Sequence, residues 1–355
     1  MTVTPPIRRH SRMGLYVPLL IALALLAAWT GWWFYLTHRI ETGIEARAVE
    51  MRAAGWDIGH GRITTTGWPF RTRIAIAYPT VTAPDGHAIS GPSLVAEANT
   101  YNPDKWVVIA PDGLVLTRPN MGKVAVRGDA LRMSLSHLRA RFPDLRIQLD
   151  QPVFTPHPGA APFPILRADQ LQIEARPHMV DGPAGTAATA ATGAVDVLFR
   201  LTEARARPGG ILDGLAVQGP VGGWIETTIN GADHLRGRTM IGDLKTWAGA
   251  GGRFTAVRGE LKAGASTATL SSDTLTAGPD GRLRGSVALT ADKPLPALAG
   301  LARSGVPGVD RAAAAGAATA TALTGDTSAV SLPLVFRDGR TWLGPFALAP
   351  APKLF

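Results

Sequence analysis

Asp144-Leu145-Arg146-Ile147-Gln148-Leu149-Asp150 is the stretch that decides the fold. Leu145, Ile147 and Leu149 alternate with Arg146, Gln148 and Asp150. A period of two places every apolar side chain on one face of an extended strand and every polar one on the other. The pattern recurs outward in both directions. Towards the N-terminus, Leu131, Met133 and Leu135 alternate with Arg132 and Ser134, and Thr72, Ile74, Ile76 and Tyr78 with Arg71 and Arg73. Towards the C-terminus, Leu171 and Ile173 are followed by Val195, Val197, Phe199 and Leu201, by Leu283, Val287 and Leu289, and by Val330, Leu332, Leu334 and Phe336. Such half-buried strands imply antiparallel pairing with one face covered and one wet.

The turns agree with this reading. Pro-Asp-Gly occurs at 84–86, 111–113 and 279–281, and Asn230-Gly231 and Asp338-Gly339 add two more signals. Proline presets φ, and Gly or Asn accepts φ > 0, so each predicts a turn in a meander of hairpins. Forty Gly and 28 Pro in 355 residues suit many short strands better than long helices. Helices are expected to be few. Asp243 to Ala250 forms one; Leu295, Leu298 and Leu301 repeat at i+3; and Asp310 is placed to cap the Ala-rich run to Leu323.

The N-terminus follows a different rule. Gly14 to Leu36 carries no charge. As a helix it reaches roughly 35 Å, enough for a hydrocarbon core of about 30 Å. Arg8, Arg9 and Arg12 precede it and place the N-terminus in the cytoplasm. Pro18 falls in the first turn, where it costs little. Trp29, Trp32, Trp33 and Tyr35 crowd the outer end as a membrane-interface belt. A cleaved signal peptide would share the basic start and the apolar run. However, Ala22-Leu23-Ala24 lies inside that run, and its exit is bulky, so the segment reads as an uncleaved anchor. Residues 37–54 read as a helical stalk, with Ile40, Ile44 and Met51 at helical spacing and Gly55 at its end.

The expected architecture is therefore mainly β: an N-terminal transmembrane helix and short helical stalk, then a long curved antiparallel β-sheet or sandwich with a few short helices. Its divisions are a cytoplasmic N-terminus (1–13), a transmembrane helix (14–36), the stalk (37–54), a first β half (55–176), a flexible Ala/Thr/Gly-rich loop (177–194) and a second β half (195–355). The implied location is a bacterial inner membrane, crossed once, with the C-terminal domain in the periplasm.

Candidate chemistry is sparse. There is no cysteine, which removes disulfides and thiolate sites together. The eight histidines show no His-x-His or His-x-x-x-His spacing for a metal. Gly91-Pro92-Ser93-Leu94-Val95 fails as a nucleophile elbow, and Gly249 to Phe254 lacks the Lys-Ser/Thr of a phosphate loop. No catalytic, cofactor-binding or metal residue is expected. Net charge is +9, but the basic residues beyond the N-terminus are interspersed with acidic ones, so nucleic acid is not an expected partner.

Gly67-Trp68-Pro69-Phe70-Arg71 puts two aromatics on one side of a strand start, with a proline that cannot donate to a ladder; it reads as a structural corner. On this motif the chain resembles the alphaproteobacterial domain-of-unknown-function 2125 family. The segment Ala98 to Trp106, with Tyr101, Pro103 and Trp106, and the C-terminal Asp338-Gly339-Arg340 and Leu343-Gly344-Pro345 resemble further family segments. The resemblance covers nearly the whole chain and carries no assigned catalytic residue. A broader likeness to AsmA-like envelope proteins implies a groove for acyl chains. Physical reasoning converges on the same question. Many amphipathic strands and few helices leave apolar faces that must be closed sheet on sheet or left as a trough. The expected roles are binding of lipid or another hydrophobic ligand or, alternatively, envelope assembly through protein partners on an exposed strand edge.

Overall fold

The computed structural model describes residues 13–180, 189–235, 240–323 and 330–355. Arg8, Arg9 and Arg12 lie outside the described residues. Helix α1 runs unbroken from Met13 to Ala53, so the expected transmembrane segment and the expected stalk are one rod of 41 residues. It is about 60 Å long at 1.5 Å per residue. Because it begins at Met13, Pro18 sits in the second turn rather than the first. Residues 16–28 are exposed all round. From Trp29 onward one stripe is withdrawn from solvent: Trp29, Trp33, Leu36, Ile40, Ile44 and Ala48, spaced three or four apart.

The remainder is mainly β, and every strand pairing is antiparallel. The larger part of the sheet runs, in spatial order, Ile63–Thr66, Arg71–Ala77, Ser93–Asn99, Asn102–Ile109, Ala130–Ser136, Asp144–Asp150, Gln170–Val180 and Thr189–Ala206. It continues through Val221–Asn230, Arg253–Ala263, Ser266–Ala277, Leu283–Asp292, Val330–Arg337, Arg340–Leu343 and Phe346–Pro350. The smaller part runs Asp57–Gly59, Thr80–Thr82, Ala88–Ser90, Leu114–Arg118, Gly122–Arg127, Val153–Pro156 and Ile165–Arg167. Ile165 pairs with Ala206 at the end of the long strand Thr189–Ala206, which joins the two parts. The sheet is not closed on itself.

Between Ile63 and Ala206 the chain crosses from one part to the other after every second strand. The crossings fall at Tyr78-Pro79, Gly91-Pro92, Ala110 to Gly113, Gly128-Asp129, Gln151-Pro152 and Ala168-Asp169. Proline recurs there because it cannot serve a ladder, and Tyr78 and Gln151 adopt φ of 48°. Strands that change sheet at such bends are how a sandwich turns a corner. One expectation is corrected here. Pro111-Asp112-Gly113 does not close a hairpin: Asn102–Ile109 pairs with two strands of the larger part, and Leu114–Arg118 with two of the smaller. The triplets at 84–86 and 279–281 and the Asp338-Gly339 pair do close hairpins. Asn230-Gly231 instead ends a strand and enters the 3-10 turn Ala232–Leu235.

Among the described residues there are four shorter α-helices: α2 (Ile211–Ala216), α3 (Met240–Gly249), α4 (Pro294–Arg303) and α5 (Arg311–Leu323). Asp310 caps α5, its Oδ1 accepting from the Ala313 N–H at 3.0 Å. In α3, Trp247 is buried and donates through Nε1 to the Asn230 carbonyl at 2.7 Å. Within the stretch 177–194 expected as a loop, residues up to Val180 and from Thr189 belong to paired strands; 181–188 lie outside the described residues.

A candidate apolar binding face

The alternation read in the sequence builds two unlike faces on the larger part of the sheet. On one face, oppositely charged residues stand opposite each other in register. Arg73 faces Glu97 with Nε to Oε1 at 3.3 Å, and Arg258 faces Glu226 at 3.1 Å. Arg132 reaches Asp150 at 3.2 Å. Burial pushes the Asp150 carboxyl up, but hydrogen bonds from Gln148 and Gln170 and the Arg132 charge outweigh it and hold the group below its ordinary value.

The other face is apolar in continuous rows. Nearest the crossings, Leu131, Leu149, Leu171 and Leu201 stand in register on neighbouring strands. They meet Val124, Val126, Phe154 and Ile165 of the smaller part in one core cluster, where Phe154 stacks on Phe163 at 4.5 Å. One row further from the crossings come Met133, Ile147, Ile173, Phe199 and Ile225. This second row is only half-buried at Met133, Ile147 and Ile173, and Phe199 is 39% exposed. At the near edge of the same row Ile74 is fully buried, opposite Thr65, whose hydroxyl bonds Glu41 of α1. The folded-over strands therefore close the face at the crease and leave it partly open beyond.

The first row continues across the rest of the sheet through Gly223, Leu261, Ala268 and Ala291. Here the roof is made of helices. Between them and the sheet lies a cavity of about 350 Å³, lined by Leu212 and Leu215 of α2, Leu298 and Leu301 of α4, and Leu289, Leu334 and Leu348 of the sheet. Three of its four polar neighbours are engaged elsewhere. Ser266 Oγ donates to the Lys293 carbonyl at 2.7 Å, Thr321 Oγ1 to the Ala317 carbonyl at 2.9 Å, and Lys262 pairs with Glu203 at 3.1 Å. A space with this lining offers little to orient a polar reactant.

The histidines do not converge. His60 pairs with Glu45, His137 with Asp144 and His178 with Asp196, each on a different element. Among the described residues no group of three or more His, Cys, Asp or Glu is arranged to hold a metal.

The Gly67–Arg71 motif is a corner docked on α1. Gly67 has φ of 106°, and a Cβ there would stand 2.7 Å from the Arg71 carbonyl oxygen, so only glycine fits. Trp29 Nε1 donates to the Pro69 carbonyl at 2.8 Å, and Trp33 Nε1 to the Arg71 carbonyl at 2.9 Å. Trp68 Nε1 returns a bond to Thr30 Oγ1 at 3.3 Å. The four aromatics read as one belt are thus divided by helix face. Trp29 and Trp33 hold the corner, Trp33 being buried, whereas Trp32 and Tyr35 point outward and are exposed. Nothing in a uniformly apolar run distinguishes these faces. The leucines of α2 and the alanines under α4 were likewise not singled out by sequence; the signal available was the i+3 repeat in α4, which marks a face that must be covered.

α1 is the one helix among the described residues long and apolar enough to cross a membrane. Comparison with protein families finds a match over residues 33–352 to the family described as "Uncharacterized protein conserved in bacteria (DUF2125)". No curated protein and no solved structure matches the chain.

Proposed function

The chain belongs to the DUF2125 family of bacterial proteins, and from that placement we propose that it is a membrane-anchored periplasmic protein that shelters a lipid acyl chain or another hydrophobic ligand on its apolar face. The observation that carries this reading is the 350 Å³ apolar cavity beneath α4, whose floor continues the first row and which the half-open second row reaches at Leu289. Water gains few hydrogen bonds in such a space, and an apolar ligand recovers the contacts that its lining lacks. α1 supplies the tether, and the arginines before it favour a cytoplasmic N-terminus in the inner membrane.

The test is direct. Full-length protein, extracted from bacterial membranes in mild detergent, is analysed by native mass spectrometry. Bound lipid is expected, and it should be displaced when Ala268→Leu and Ala291→Leu together fill the cavity. Protein that carries no lipid under any extraction condition would sink the reading.

The runner-up is an envelope assembly protein acting through protein partners, which requires an open strand edge. It ranks second because the edge strand Ile63–Thr66 lies against α1, through Thr65 and Glu41, and Phe346–Pro350 lies against α5. Crosslinking in cells that captures one specific envelope protein along these edges would promote it.

A further inference from the structure

The length of α1 left free by the sheet is too short to cross a bilayer. The sixteen helical residues before the docked stripe, 13–28, reach about 24 Å, whereas a hydrocarbon core of about 30 Å takes about 20 residues. Arg12 closes the uncharged stretch on one side and Arg39 on the other. A span that begins just after Arg12 must therefore extend into the docked part of the helix and take in Trp29 and Trp33. Those two indoles hold the Gly67–Arg71 corner. The corner then lies level with the outer layer of the membrane.

Its composition fits that level. Residues 63–70 carry no charge, and neither do residues 98–103 of the neighbouring tip. The Thr100 N–H donates to the Phe70 carbonyl at 2.9 Å, tying the two tips together. Three large aromatics project from them: Trp68, Phe70 and Tyr101, 49%, 65% and 69% exposed. The charged residues begin immediately behind, with Arg71 and Glu97 3.9 Å apart. Aromatic side chains backed by a charged collar are what the headgroup boundary selects.

We infer that the Gly67–Phe70 corner and Tyr101 form a foot that inserts into the interfacial layer of the bilayer that α1 crosses, with lipid headgroups and upper acyl chains as its partner. The foot enters roughly 5–10 Å, the depth at which interfacial apolar faces settle. The inference rests on α1 as a span and not on any bound ligand. It also fixes the direction of the sheet: the strand Arg71–Ala77 rises from the foot, and its crossing at Tyr78-Pro79 points away from the membrane.

Because the chain has no cysteine, single cysteines can be placed without background. Full-length Phe70→Cys, Tyr101→Cys, Leu26→Cys and Ile89→Cys proteins, each carrying an environment-sensitive dye, are reconstituted into phosphatidylethanolamine–phosphatidylglycerol vesicles. Lipids bearing a nitroxide high or low on the acyl chain act as quenchers. The expected result is loss of fluorescence at Phe70 and Tyr101 with the high nitroxide, at Leu26 with the low one, and none at Ile89. Quenching at Leu26 with Phe70 and Tyr101 both as bright as Ile89 would overturn the foot while leaving the span intact. An unquenched Leu26 would overturn the span and the foot with it.

Discussion

The two halves of the apolar face carry the same kind of side chain and receive different roofs. Over Leu131, Leu149, Leu171 and Leu201 the strands themselves fold back, and side chains from both parts of the sheet fill the space. Over Leu261, Ala268 and Ala291 the strands do not cross to the smaller part, and α2, α4 and α5 lie over them around a cavity. A folded-over sheet brings its own apolar alternation to the contact, so each row meets a matching row. Short helices bring a few leucines at fixed spacing over small residues. Where alanine stands beneath leucine at such an interface, space is left over. The first half is filled as core, and the second retains a cavity.

Substitutions sharpen that contrast. The largest effect is expected from Phe154→Ala in the filled half: a buried ring stacked on Phe163 is lost, at a cost of about 3–5 kcal/mol in denaturant unfolding of the detergent-solubilised protein. Next comes a matched pair. Ala204→Leu, at a fully buried position in the same core, should destabilise by about 1–3 kcal/mol through overpacking. Ala268→Leu, in the cavity, should cost little or nothing while lowering bound lipid. Equal destabilisation by the two would break the comparison. The smallest effect belongs to the charged face. Asp150 is held below its ordinary value, so its contribution to stability is present above that value and lost as pH falls through the lower folded-state value. Asp150→Asn should therefore lower stability slightly at neutral pH and flatten the acid limb of a stability-against-pH curve, the two proteins converging in acid. An unchanged acid limb would show that the Gln148, Gln170 and Arg132 contacts do not favour the charged form.

The strands with strict alternation were legible because period two needs no partner to be seen; Asp144–Asp150, Gln170–Val180 and Leu283–Asp292 all stand where the pattern put them. Val221–Asn230 and Ser266–Ala277 were not legible: Gly, Thr and Ser occupy both faces, and their neighbours rather than their own side chains hold them extended. The misread triplet at 111–113 has a similar cause. Gly113, at φ of 86°, has the same local chemistry whether the chain returns beside itself or changes sheet, and only non-local pairing separates the outcomes. The cavity was hidden for a third reason. Its floor and roof come from residues more than a hundred positions apart, such as Leu212 and Leu348, and their distance is set by helix placement. The apolar face itself was foreseeable from the alternation.

The unbroken helix has a mechanical consequence. A β body fastened along one side of a stiff rod cannot swing as it would on a slack leash; it leans when the rod leans. On the proposed span, the rod stands more upright or sinks in a thicker bilayer and tilts in a thinner one. Either adjustment is transmitted through Trp33, Ile44 and Ala48 to the whole body, so local lipid thickness sets the height and attitude of everything the rod carries.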